Sequence, residues 1–156
     1  MCKVCWLSLA AVVMVVAGMA YKFIFQGAAE QSTDGRLAIQ LDDNERQLVL
    51  SEMRAFLESV QQITQGISGN DMKLVAASAR NVGLASQQAV PGSLIGKLPL
   101  PFKKLGRDTH AKFDEIALDA EQFEDSGHSL SQLGKLMQNC VACHASYRFE
   151  TGNYSD

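Results

Sequence analysis

Near its C-terminus the chain reads Cys140-Val141-Ala142-Cys143-His144-Ala145-Ser146-Tyr147-Arg148. Two cysteines three apart, followed at once by histidine, form the attachment spacing of a c-type haem. The chemistry explains the spacing. Each thiol adds to one of two vinyl groups on a single porphyrin edge, so the sulfurs must sit about one helical turn apart. The next residue then offers its imidazole to the iron as a proximal ligand. Two other readings fit less well. A zinc site needs a second ligand pair, and the remaining cysteines, Cys2 and Cys5, lie in an apolar N-terminal stretch. A thioredoxin-type pair opens a helix after a strand, whereas this pair closes a helical run.

The chain has 156 residues and a formal net charge of -3, which bounds it to one domain with an addition. Acidic and basic residues are mixed along it, and no basic patch marks a nucleic-acid partner. The addition is the N-terminus. From Val4 to Tyr21 no residue is charged, and apolar character resumes after Lys22 with Phe23-Ile24-Phe25. That run spans about 27 Å as a helix, close to a hydrocarbon thickness. Gly18-Met19-Ala20 could serve as a signal cleavage site, but the chain turns polar only at Gln26, which favours a retained anchor over residues 1–25. Lys3 and Lys22 flank the run and give no orientation. Covalent haem attachment occurs outside the cytoplasm, which places the following residues in the periplasm of a bacterial inner membrane.

Residues 26–41 read as a linker, with Leu37-Ala38-Ile39-Gln40-Leu41 as a short apolar arm. Asp42 with Glu45 then forms a capping-box signature, followed by Leu50, Met53, Leu57, Val60 and Ile67 at helical spacing. Gly66 and Ser68-Gly69 end this helix. A second helix starts at Asn70 or Asp71 with Met72, Val75, Ala76, Ala79 and Val82, so an antiparallel hairpin follows. Pro91, Gly92, Gly96, Pro99 and Pro101 mark a long crossing loop whose leucines should lie on the domain. A third helix runs from about Pro101 to Phe123, with His110, Phe113, Ala117 and Ala120 on one stripe. A fourth carries Leu130, Leu133, Met137, Cys140, His144 and Tyr147 at steps of three or four. The expected fold is all-α: an antiparallel four-helix bundle over residues 42–156, with one covalent haem c in its core, preceded by one transmembrane helix.

The final helix, reading C-x-x-C-H-x-x-Y-R, resembles that of the cytochrome c′ family of four-helix-bundle c-type cytochromes. The motif likeness covers this helix alone. It implies Arg148 near the haem propionates, a distal residue from the first helix and dimers formed through the first two helices. Where that distal residue is methionine, the family carries single electrons between redox partner proteins. Where it is apolar, the five-coordinate iron binds small gases such as NO or CO. Met53 stands mid-stripe on the first helix and is the expected sixth ligand. Arg46 four residues before Leu50 fits the gas-binding pattern instead, one turn away. His110 is a weaker distal candidate and His128 reads as an exposed or capping residue. Cofactor-binding residues are therefore Cys140, Cys143, His144, Arg148 and Met53, with His144 and Met53 on the metal. No Ser/His/Asp set, carboxylate pair or phosphate loop supports an enzyme.

Overall fold

The computed structural model describes residues 3–152, so Cys2 lies outside the described residues. The chain is mostly helical. An apolar helix, α1 (Lys3–Tyr21), continues into a five-residue π turn, Lys22–Gln26. Two strands follow, β1 (Ala29–Gln31) and β2 (Leu37–Leu41). Then come α2 (Asp43–Ser68), α3 (Met72–Arg80), a 3-10 turn (Leu84–Ala89), α4 (Gly92–Lys97), α5 (Leu100–Phe123), α6 (Ser126–Ser146) and β3 (Tyr147–Thr151).

Helix starts are written in local chemistry. Asp42 accepts from the Glu45 amide at 2.9 Å while the Glu45 carboxylate accepts from the Asp42 amide at 3.2 Å, a complete capping box. Asp71 and Asp125 cap α3 and α6 in the same way, each accepting an amide three residues on at 3.0 Å. Each such cap stabilises its helix by about 1 kcal/mol. Asn70 and Glu124 take positive φ in the turns just before α3 and α6.

α2, α3, α5 and α6 pack in a closed ring of neighbours, α2 on α3, α3 on α5, α5 on α6 and α6 on α2. Ile63 of α2, Val75 and Ala79 of α3, Phe113, Ile116 and Ala117 of α5, and Leu133 and Leu136 of α6 meet in one buried core. Alanine-rich α3 lets its neighbours come close. At Gly66 a Cβ would stand 2.8 Å from Val75 and 2.9 Å from the Asp71 carbonyl, so the α2–α3 corner needs glycine.

Within the stretch read as a linker, residues 26–41, the apolar arm Leu37–Leu41 packs on the domain as a strand. β2 lies at the centre of a three-stranded sheet, antiparallel to β1 and parallel to β3. Ile39 and Leu41 are fully buried, in a second cluster with Val49, Leu94 and Leu98. The crossing segment does lie on the domain, through Leu94 and Leu98. Two helix details also differ from the periodicity. α3 is only nine residues long. On α6, Leu136 is buried while Met137 and Leu130 are exposed, because α6 meets α5 one residue round from the expected stripe.

Candidate functional site

The motif occupies the last turns of α6, which stops at Ser146 where the chain straightens into β3. Cys140 is half-buried against the main core, and Cys143 is half-buried one turn on. Burial pushes both thiols up. Cys143, with Cys140 beside it, reaches about 11. His144 is exposed, and its backbone oxygen accepts from Arg36 at 3.3 Å. No three His, Cys, Asp or Glu side chains converge as a metal cluster among the described residues.

The two flanks of α6 differ. Toward α5, Gln132 donates to Asp119 at 2.6 Å, and Asn139 donates to Asp108 at 2.7 Å and to Thr109 at 3.2 Å. The opposite flank carries Leu130, Met137 and Val141, all exposed, in line with His144. α2 shows the same division. Gln62 accepts from Ser78 of α3 at 3.0 Å, and Glu52 reaches His110 of α5. Its other flank holds the half-buried Leu50 and Met53 and the exposed Leu57. Both bare flanks border one seam, between α2 and α6, where the ring is least closely packed.

Met53 sits at the motif end of that seam. It packs on the small cluster together with Phe102, Tyr147 and Phe149. Phe102 meets both of the last two rings edge-on, at 5.2 Å and 5.7 Å between centroids. The methionine of the first long helix and the tyrosine three residues past His144 thus pack on the same buried cluster.

Compared with protein-family models, curated proteins and solved structures, the chain matches none.

Arg148 and His110 are committed elsewhere. The Arg148 guanidinium contacts Asp34 at 3.2 Å, Ser32 at 3.3 Å and Glu150 at 3.2 Å, facing the β1–β2 turn. Arg36 bonds the same carboxylate at 2.7 Å and, with Arg148, holds Asp34 well below the usual carboxylate range. His110 is buried, with Nδ1 2.8 Å from the Val82 carbonyl and Nε2 3.3 Å from Glu52. Its ring lies 4.9 Å from Phe56. With both nitrogens engaged, it is a packing histidine between α2, α3 and α5. Burial pulls its pKa down, but the bonds to Glu52 and Val82 outweigh this and raise it. Glu52 escaped the sequence reading, although an acidic side chain beside the Phe56 stripe was its signal. His128 pairs with Asp119 at 2.9 Å on the surface.

Proposed function

We propose that the chain is a membrane-tethered c-type cytochrome that carries single electrons through one covalent haem. The observation that carries this reading is the C-x-x-C-H motif on a helix whose apolar flank lies bare along the α2–α6 seam. A flat apolar macrocycle held at one rim by two thioethers suits that arrangement. It would cover the exposed Met137, Val141 and Leu57. On this reading α2, α3, α5 and α6 are the four-helix bundle of a cytochrome c′-like unit, and α1 is its inner-membrane anchor with the domain in the periplasm.

When bound, the haem supplies an iron that cycles between two oxidation states. The rest is the work of the chain. Cys140 and Cys143 fix the group by thioether bonds, so it cannot dissociate in either state. His144 would hold the iron through an imidazole nitrogen. Met53 would offer a thioether from a half-buried position beside the cluster on which Phe102, Tyr147 and Phe149 also pack. A neutral sulfur ligand favours the reduced iron and raises the potential, as suits a carrier. The apolar walls exclude water and reduce the reorganisation that accompanies electron transfer.

The optical spectrum of purified protein tests this directly. A low-spin ferric spectrum with the red thioether-to-iron band is expected. A high-spin spectrum with ready carbon monoxide binding would replace the carrier with a five-coordinate gas-binding module, in which Met53 is a packing residue. Retention in the membrane fraction through a high-salt wash is the expected result for the anchor. A soluble mature protein beginning near Tyr21 would make α1 a cleaved signal sequence.

A further inference from the structure

The exit from α1 is built into the domain. Lys3–Gln26 is one apolar segment of 24 residues. As a helix it measures about 36 Å, longer than a hydrocarbon core of about 30 Å. If α1 spans, its final turn therefore lies at headgroup depth. That turn, Lys22–Gln26, touches both α4 and α5. Gly27 follows at φ 61°, pressed so close that a Cβ would overlap the Lys97 carbonyl. The Ala28 amide donates to that same carbonyl at 2.7 Å. The Lys97 ammonium in turn bonds Glu45 at 2.5 Å and Asp42 at 3.4 Å, the two members of the α2 capping box. The span is thus joined to the start of α2 through α4, and the α4–α5 corner is held at the membrane surface.

The charge at this corner is distinctive. Between Asp71 and Asp108 the chain holds no acidic residue, but it does hold Lys73, Arg80, Lys97, Lys103, Lys104 and Arg107. The last three stand in the first two turns of α5. Lys104 and Arg107 are exposed, and Lys103 donates to the Ile95 carbonyl at 3.3 Å. The Ile95 side chain is itself 45 % exposed, as are Phe23 and Phe25 to a greater degree. A half-exposed isoleucine bonded at its carbonyl by Lys103, with Lys104 and Arg107 following on the same two helical turns, suits a leaflet of anionic lipid.

We propose that the α4–α5 corner is a lipid-docking face. Ile95 enters the headgroup layer, and Lys103, Lys104 and Arg107 meet lipid phosphates, which fixes the angle of the domain to the membrane. This rests on α1 being a span. An acidic surface on a protein partner would meet the same bases but would leave them uncovered in lipid alone.

Full-length protein reconstituted into vesicles tests the proposal, with phosphatidylcholine alone compared with phosphatidylcholine plus phosphatidylglycerol. An alkaline wash comes first. Retention upholds the span, and release removes both the span and the docking that depends on it. Retained protein is then footprinted with a membrane-permeant acetylating reagent. Lys103 and Lys104 should react several-fold more slowly in the anionic vesicles than in detergent, while Lys73 and Lys135 react at one rate throughout. Lys104→Glu with Arg107→Glu should restore Lys103 labelling and leave the washed protein in the membrane. Retained protein whose Lys103 and Lys104 react equally fast in anionic vesicles, neutral vesicles and detergent overturns the docking face.

Discussion

α6 has two neighbours in the ring and treats them oppositely. Against α5 it presents amides, Gln132 and Asn139, each bonded to a carboxylate, above a core closed by Leu133 and Leu136. Against α2 it presents Leu130, Met137 and Val141 with little opposite them. A helix in a finished core rarely leaves a valine 70 % exposed in line with leucine and methionine. The polypeptide closes the first seam with its own amides and leucines; on the proposed reading, the haem would lie against the second.

The comparison breaks most completely at the thiols. Cys140→Ser with Cys143→Ser should abolish haem that survives denaturation, read by haem staining of a denaturing gel. Haem persisting in that variant would remove the basis for the open seam. The next effect is at the far wall. Met53→Leu should turn a low-spin ferric spectrum high-spin and admit carbon monoxide, and an unchanged spectrum would place the ligand elsewhere.

On the closed side the currency is stability. Phe113 is fully buried and stacks on Phe56 at 5.4 Å, so Phe113→Ala should cost about 3–5 kcal/mol in urea unfolding of the soluble part. A loss under 1 kcal/mol would mean that this core is looser than its packing suggests. Chain starts sharpen the same point. A protein beginning at Asp42 lacks the buried Ile39 and Leu41 and should be markedly less stable than one beginning at Gly27. Equal midpoints would return β1 and β2 to the role of a tether.

The smallest effect is the pH dependence of His110. Its raised pKa means that the folded state holds the proton more tightly than the unfolded chain. That stabilisation is complete below the unfolded value, about 6.5, and is lost as pH rises through the folded value. Glu52→Gln should flatten this part of the stability profile. A slope that survives the substitution would assign it to another group.

Much of this was legible in the sequence where the signal is local. The Asp42–Glu45 box, the α5 stripe through Phe113, Ala117 and Ala120, and the turn before α6 are each read from a few adjacent residues. The missed features depend on partners far along the chain. Leu37–Leu41 is too short to declare itself a strand, and its mate, Tyr147–Thr151, reads as a continuation of α6. Asp34 and Glu150, which engage Arg148, could not be paired with it by spacing. On α6 the choice between Leu136 and Met137 turns on a rotation that periodicity alone does not resolve. At the site, the motif placed Cys140, Cys143 and His144 on one helix end. That Met53 packs on the same cluster as Tyr147 required the fold.

The parallel pairing of β2 with β3 bears on the order in which the molecule is made. Gln40 and Glu150 lie 110 residues apart, yet their strands are neighbours. Closing a loop of that length costs on the order of 4 kcal/mol of chain entropy before any contact repays it. A chain delivered N-terminus first therefore holds β2 without its partner until Tyr147–Thr151 has arrived. Residues 140–144 emerge before β3 and belong to the interval in which that end of the domain is still open. Pulse-labelled hydrogen exchange should find the β2 amides among the last to be protected, after those of α5, and on the proposed reading the thiols would be most accessible to the haem during that delay.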